Sequence, residues 1–229
     1  MTTLIPNRFL FTFEFPLRHR AKFPSLDGSL SGWTDAELLP ALGAMDNRPE
    51  FAPVWACWNE TGICVACRVT DKRTPLRCDP ANYWKGDNLR VCIDTRPSPE
   101  NKRATRFCRQ FFFLPTGAPT EPRTRSKERS SNRQTAVAGL GTFQRAREEP
   151  PPVSATLLRV ASRVEPTVYA MEAMIPAECL TGFDPQEYPR LGFYYMLEDA
   201  DRGQQYLTVG DDLLWFADPS TWAIAALSN

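Results

Sequence analysis

The chain has 229 residues, 42% of them hydrophobic, which is long enough for one sizeable core, so we expect a single domain spanning residues 1–229. Basic and acidic residues number 27 each, and with no net charge to attract nucleic acid or an anionic membrane, we predict neither partner. The 21 prolines and 12 glycines favour many short strands over a helical bundle.

The N-terminal region lacks the apolar core of a signal peptide, because its short apolar start is soon followed by charged residues and Pro16. No stretch reaches the roughly 20 apolar residues of a membrane-spanning helix. The seven cysteines are an odd set scattered through predicted strands, as is typical of free thiols in a reducing compartment. These features together predict a soluble, cytoplasmic protein.

Alternating aromatic residues predict the first strand at residues 9–15, with Phe9, Phe11, Phe13 and Phe15 on its core face. Residues 33–40 follow as a turn or one short helical turn, with Thr34 or Asp35 available as its cap.

Two β-patterned runs, residues 54–58 and 63–69, flank a turn-rich quartet and predict a hairpin. The second run contains Cys64 and Cys67, which resemble a CxxC motif. Residues three apart in a strand point to opposite faces, and no second cysteine pair accompanies them, so we interpret both as packed thiols. His19 is the only histidine, which argues against a catalytic triad or a histidine-rich metal centre.

The next strands are predicted around residues 89–94 and 107–114. Leu89, Val91 and Ile93 share one face of the first, and the phenylalanine-rich second strand is expected to be central, with both faces covered. Residues 116–152 then change to proline, serine and basic side chains, which predicts a long, irregular and partly mobile insertion. Its basic stretch, Arg123 to Arg133, is interpreted as a solvated loop.

Strands resume at residues 154–164, 169–175 and 191–197, with a single helical turn expected after Pro176. No internal repeat is visible. The pattern as a whole predicts an all-β fold, an antiparallel β-sandwich of jelly-roll type with one long irregular insertion.

Four segments of the sequence resemble, in order, the family 9 carbohydrate-binding modules, which are DOMON-like β-sandwiches. They are YWKGDNLRVCID at 83–94, YAMEAMIP at 169–176, LGFYY at 191–195 and DPSTW at 218–222. The resemblance runs from about Trp33 to Trp222. It implies non-catalytic binding of a mono- or oligosaccharide, with no cofactor required.

The resemblance also implies a binding site in which a terminal sugar is stacked between two tryptophans. By motif position these are Trp84 and Trp215, with Arg90, Arg109 and Asp212 as polar contacts. The family commonly has an acidic residue where this chain has Arg90. That arginine can donate to hydroxyls or to an anionic sugar, or it can be an ordinary exposed strand residue.

Three alternatives stay open at this point. Large aromatics in sandwiches often pack in the core, and Trp55 or Trp58, together with Trp222, are assigned to packing. The acidic clusters, residues 198–201 and 211–212, offer carboxylate pairs for a glycosidase or ligands for calcium, but such residues also suit a turn, and we assign neither activity nor metal. The rival function is an intracellular interaction module on the same fold, which meets a protein partner through its basic loop.

Overall fold

The computed structural model describes residues 13–43, 48, 50–117 and 135–228, and in this part of the chain eleven strands are joined by loops and 3-10 turns. None of its helical segments is long and apolar enough to cross a membrane. The strands are β1 (Glu14–His19), β2 (Val54–Asn59), β3 (Gly62–Val69), β4 (Asn88–Asp94), β5 (Cys108–Leu114), β6 (Val137–Gly141), β7 (Arg159–Glu165), β8 (Val168–Pro176), β9 (Arg190–Asp199), β10 (Gly203–Tyr206) and β11 (Ala223–Ser228).

The strands form two antiparallel groups that one strand joins. Hydrogen-bonded neighbours run in the order β6-β5-β4-β9-β11-β1-β2-β3-β8-β7, and β10 also pairs with β9. All pairs are antiparallel except the two made by β1, which is parallel to both β11 and β2. The all-β sandwich prediction is confirmed, with the correction that this joining strand makes the sheet mixed. Alternation of side chains could not show that, because it sets the faces of a strand and not the direction of its partner.

The core lies between the two groups and is built from the faces that alternation predicted. Leu89, Val91 and Ile93 of β4 are fully buried, as are Phe111 and Phe113 of β5. Every residue of β5 is buried, as predicted for a central strand.

The first described strand begins at Glu14, and residues 9–12 of the predicted strand lie outside the described residues. Phe13 and Phe15 stack with their ring centroids 6.1 Å apart, and Leu17 continues the buried face. Phe9 and Phe11 lie outside the described residues.

Two boundaries in the middle of the chain differ from the prediction. The strand expected from residue 154 begins at Arg159, because Ser154 caps a 3-10 turn over Ala155–Leu157. Within the insertion predicted as irregular, residues 137–141 form β6 and pair with β5. Residues 118–134 lie outside the described residues, and the whole basic stretch, Arg123 to Arg133, lies among them, so its mobility stays a prediction.

The cysteines of β3 lie on opposite faces, as predicted. Cys67 packs in the core, where burial raises the pKa of its thiol to about 12. Cys64 lies directly across from Cys57 of β2. All seven cysteines are free thiols, and no group of three or more candidate ligands in the described part of the chain is placed to hold a metal ion.

Candidate functional site

A concave surface of about 500 Å³ lies on the β4, β5 and β9 face that is turned away from the core. Strand residues form its floor, and the loops before β4 and β11 supply its two tryptophans. Its lining consists of Tyr83, Trp84, Arg90, Gln110, Thr142, Gln144, Glu198, Gln204, Asp211, Trp215 and Phe216.

The floor follows from strand register. Arg90 of β4 lies opposite Phe112 of β5 on one side and Met196 of β9 on the other. One step along the same face, Glu198 of β9 lies opposite Gln204 of β10. This face therefore carries polar residues from β4, β5, β9 and β10 together with Phe112 and Met196, while Leu89, Val91 and Leu197 point to the core.

Trp84 stands on a stack of aromatic rings. Asp79 caps the 3-10 turn Pro80–Asn82 and so brings Tyr83 and Trp84 to the rim. The Tyr83 ring lies flat on Phe112, with centroids 4.1 Å apart and an interplanar angle of 6°. Trp84 packs edge-on against Tyr83 at 5.2 Å and keeps 47% of its surface exposed. It therefore presents a large apolar face to solvent on a rigid base.

Two glycines of β6 make room for this stack. A Cβ at Gly139 would lie 2.1 Å from Cζ of Phe112, and one at Gly141 would lie 2.2 Å from Oε1 of Gln110. The same Gln110 oxygen accepts a hydrogen bond from the Tyr83 hydroxyl at 3.1 Å. These glycines, which looked like loop residues in the sequence, are required by the side chains that lie over them.

Gly139→Ala should therefore destabilise the protein by about 1–3 kcal/mol, because the Phe112 ring has to leave its place between β6 and Tyr83. Urea denaturation measures the loss. Adding Phe112→Leu to Gly139→Ala removes the clash, so the double variant should lose less than the two single variants together. Strictly additive losses would show that the ring and the new methyl group do not collide.

Trp215 has a different environment from Trp84. Its ring stacks on Tyr194 at a centroid distance of 4.9 Å, and only 1% of its surface is exposed. Its indole N–H donates to Asp211 Oδ1 at 2.8 Å, and its carbonyl accepts from the Trp222 indole at 2.8 Å. The Arg90 guanidinium carbon lies 5.0 Å from the ring centroid. Trp215 is thus a buried wall of the concavity, faced by a cation.

Arg90 and Glu198 form an ion pair at the floor. Arg90 Nη2 lies 3.3 Å from Glu198 Oε2, and burial raises the pKa of this carboxyl group despite the nearby guanidinium. Arg90 Nε is buried and has no hydrogen-bond partner among the described residues. The pair offers unused donors beside a carboxylate acceptor, which is the combination that neighbouring hydroxyl groups need.

Three of the five residues singled out from the sequence, Trp84, Trp215 and Arg90, line this concavity together. The other two lie apart from it. Arg109 is buried and donates to the Pro151 carbonyl at 2.6 Å. Asp212 is exposed and does not line the concavity, whereas its neighbour Asp211 does.

Sequence reasoning missed the part that Glu198 plays, because it interpreted the acidic run after β9 as turn chemistry. Alternation in β9 gave no signal for it, because both faces of the strand carry large hydrophobic residues: Tyr194 and Met196, on the face of Glu198, are as fully buried as Leu197.

A buried lysine holds the loops beside the site. Lys72 Nζ lies 2.8 Å from both Asp87 Oδ1 and Asp199 Oδ2, and 3.8 Å from Asp201 Oδ2. Asp87 also accepts from the Arg77 and Ala200 backbone, which ties the Trp84 loop to the end of β9. The carboxylates of Asp87, Asp199 and Asp201 are therefore engaged by the Lys72 ammonium and by backbone N–H groups.

No protein-family model and no curated protein matches the sequence. The fold, however, matches two structures of family 9 carbohydrate-binding modules from Caldicellulosiruptor kristjanssonii. The module in complex with cellotriose aligns with a TM-score of 0.58 and 12% identity over 94% of both chains. The module in complex with glucose aligns with a TM-score of 0.60 and 11% identity over 94% of this chain and 96% of that one. The chain therefore shares the β-sandwich fold of these modules.

Proposed function

We propose that this protein binds carbohydrate at the Trp84 concavity and does not catalyse a reaction there. The observation that carries the proposal is an exposed indole face on a rigid aromatic base, standing beside a floor of polar side chains. Sugar rings pair an apolar C–H face with directional hydroxyls, so they match such a surface. The fold neighbours, solved in complex with cellotriose and glucose, support the same ligand class.

In the proposed complex a terminal sugar lies between Trp84 and the wall made by Trp215 and Arg90. Trp84 supplies the open stacking face. For Trp215 to act as the second tryptophan of the clamp, the ligand has to displace the Arg90 guanidinium that lies over its ring or bind beside it. The side-chain amides of Gln110 and Gln204, together with the Arg90–Glu198 pair, provide directional hydrogen bonds to hydroxyls.

The acidic residues support a binding protein more than a glycosidase. A glycosidase requires two carboxyl groups flanking the bond that it cleaves. Asp199 is engaged by Lys72, Asp201 by Thr74, and Asp211 by the indole of Trp215. Glu198 is the one partly exposed carboxylate on the strand floor, and it is paired with Arg90. We therefore assign these groups to structure and to hydroxyl recognition.

Titration of the protein with glucose, cellobiose and cellotriose tests the proposal, with tryptophan fluorescence and calorimetry as readouts. We expect saturable binding of at least one of these sugars, accompanied by a change in emission as Trp84 is covered. A folded protein that gives no heat and no spectral change with a wider panel of neutral saccharides would overturn it.

Glu198→Gln should weaken sugar binding about tenfold at pH 7, because a carboxylate acceptor becomes a neutral amide and Arg90 loses its partner. Since the pKa of Glu198 is raised by burial, the wild-type affinity should fall as the pH decreases from 7 toward 5 and this group takes up a proton. The variant should show a flatter pH profile.

Glu187→Gln, at an exposed position that does not line the concavity, is the matched control and should leave both affinity and pH profile unchanged. Equal affinities for wild type and Glu198→Gln at pH 7 would show that Glu198 does not contribute to sugar binding. The proposed role of Trp84 would be unaffected by that result.

A further inference from the structure

A second concavity of about 360 Å³ lies on the outer face of the other strand group, against β3, β8 and β7. The loop of residues 27–33 forms one wall. The lining residues are Gly28, Ser29, Leu30, Trp33, Trp55, Arg68, Arg163, Glu165, Val168 and Ala170. No residue is shared with the Trp84 concavity, so the two are separate sites.

The loop that forms this wall is held by a fully buried carboxylate. Glu172 of β8 accepts from the Gly28 backbone N–H at 2.6 Å, from the Asp27 N–H at 3.1 Å and from the Trp33 indole at 2.9 Å. Gly28 has a φ of +76°, and a Cβ there would lie 2.4 Å from the Ser162 carbonyl carbon. The buried Glu172 carboxylate and the close contact between Gly28 and the Ser162 backbone therefore fix the position of the loop relative to the sheet.

Two tryptophans belong to this concavity, and they are not equally satisfied. The Trp33 indole donates to Glu172, whereas the Trp55 indole nitrogen is buried and has no hydrogen-bond partner among the described residues. A buried N–H without a hydrogen-bond partner is unfavourable in free energy. An oxygen-bearing ligand that reached this N–H would recover that free energy.

Two arginines flank a small residue on the same sheet face. Arg68 of β3 and Arg163 of β7 are both in register with Ala170 of β8, which lies between them. Both are exposed, and the alanine leaves the space between their side chains open. Guanidinium groups on adjacent strands can in this way reach one ligand.

The charges near the two arginines differ. Arg163 Nε lies 3.8 Å from Glu165 Oε1, and Arg163 also lies close enough to Asp27 to help lower the pKa of that carboxyl group. Arg68 has no carboxylate within ion-pair distance in the described part of the chain. Arg68 is therefore a cation to which an anionic ligand can supply the counter-ion.

We propose that this concavity is a second binding site, specific for a sugar that carries a carboxylate, with the ring against Trp33 and Trp55 and the carboxylate on Arg68. The planar guanidinium fork matches a carboxylate with two parallel hydrogen bonds, while the indole faces accept the apolar side of the ring. The inference does not depend on the Trp84 site, and the two together would make the module bivalent.

The test uses the Trp84→Ala variant, so that binding at the first site is weakened about 100-fold. We expect glucuronate to bind and glucose to bind at least about tenfold more weakly, because only the former has a carboxylate. In ¹H–¹⁵N spectra the indole signals of Trp33 and Trp55 should move with glucuronate, while those of Trp215 and Trp222 stay in place. Their assignment follows from single Trp→Phe replacements.

Arg68→Gln should remove the preference for glucuronate, and Arg103→Gln, an exposed arginine elsewhere, should keep it. The proposal is overturned if glucuronate and glucose bind equally or not at all, or if Arg68→Gln leaves the preference intact. Because these measurements are made in the Trp84→Ala background, a negative result would not bear on carbohydrate binding at the Trp84 concavity. Conversely, a negative result at the Trp84 concavity would not bear on this second site.

Discussion

Lys72→Met should destabilise the protein by about 3–5 kcal/mol, because it leaves buried carboxylates without their cation. Lys72 is 5% exposed, and its ammonium lies 2.8 Å from the carboxylates of Asp87 and Asp199. Methionine fills the space of the stem but leaves two buried negative charges without a counter-ion. Urea denaturation at pH 7 measures the loss, and Lys22→Met, at an exposed position, should stay within about 0.5 kcal/mol of wild type.

The pH dependence gives this prediction a second readout. Burial by itself would raise the pKa of Asp199, but hydrogen bonds from Lys72 and from the backbone lower it overall. A lowered pKa stabilises the fold above the usual carboxyl range and loses that contribution as the pH falls. In Lys72→Met the buried carboxylates should take up protons more readily, so the difference from wild type should shrink between pH 7 and pH 4. A constant difference, or a loss below about 1 kcal/mol, would contradict the buried ion-pair role.

Trp84→Ala should weaken sugar binding about 100-fold and change stability little. With 47% of its surface exposed, this indole contributes little to the core, while it supplies the open face on which the proposed ligand stacks. Calorimetric titration with the best sugar of the panel measures the affinity, and thermal unfolding shows that the fold persists. Trp84→Phe, which keeps a flat ring, should retain part of the binding.

Trp215→Ala provides the contrast. Its ring is 1% exposed and stacks on Tyr194, and its indole N–H donates to Asp211, so its removal should cost about 3–5 kcal/mol. Trp215→Phe, the milder change, separates packing from binding: an affinity near that of wild type would mean that Trp84 alone stacks the sugar. Unchanged affinity in Trp84→Ala would contradict the proposed site altogether.

Much of the fold could be predicted because strand alternation is local. The core faces of β4 and β5, the β2–β3 hairpin and the Thr34 cap are all consequences of neighbouring residues. The features that were not predicted depend on contacts between residues that are distant in sequence. β6 was not predicted because its two glycines look like a loop until Phe112 and Gln110 are placed over them, and the parallel pairing of β1 depends on strands from both ends of the chain.

The candidate site was likewise predicted in part from the sequence and in part required the structure. The sequence by itself determined an all-β chain, and its motifs pointed to Trp84, Trp215 and Arg90, which the structure brings to one concavity. Only the tertiary structure decided that Trp84 is open while Trp215 is buried, and that Arg90 meets Glu198, a residue 108 positions away. The physical reason is that backbone geometry sets the direction of a side chain relative to its own strand, whereas pairing between strands and anchoring of loops decide which side chains it meets.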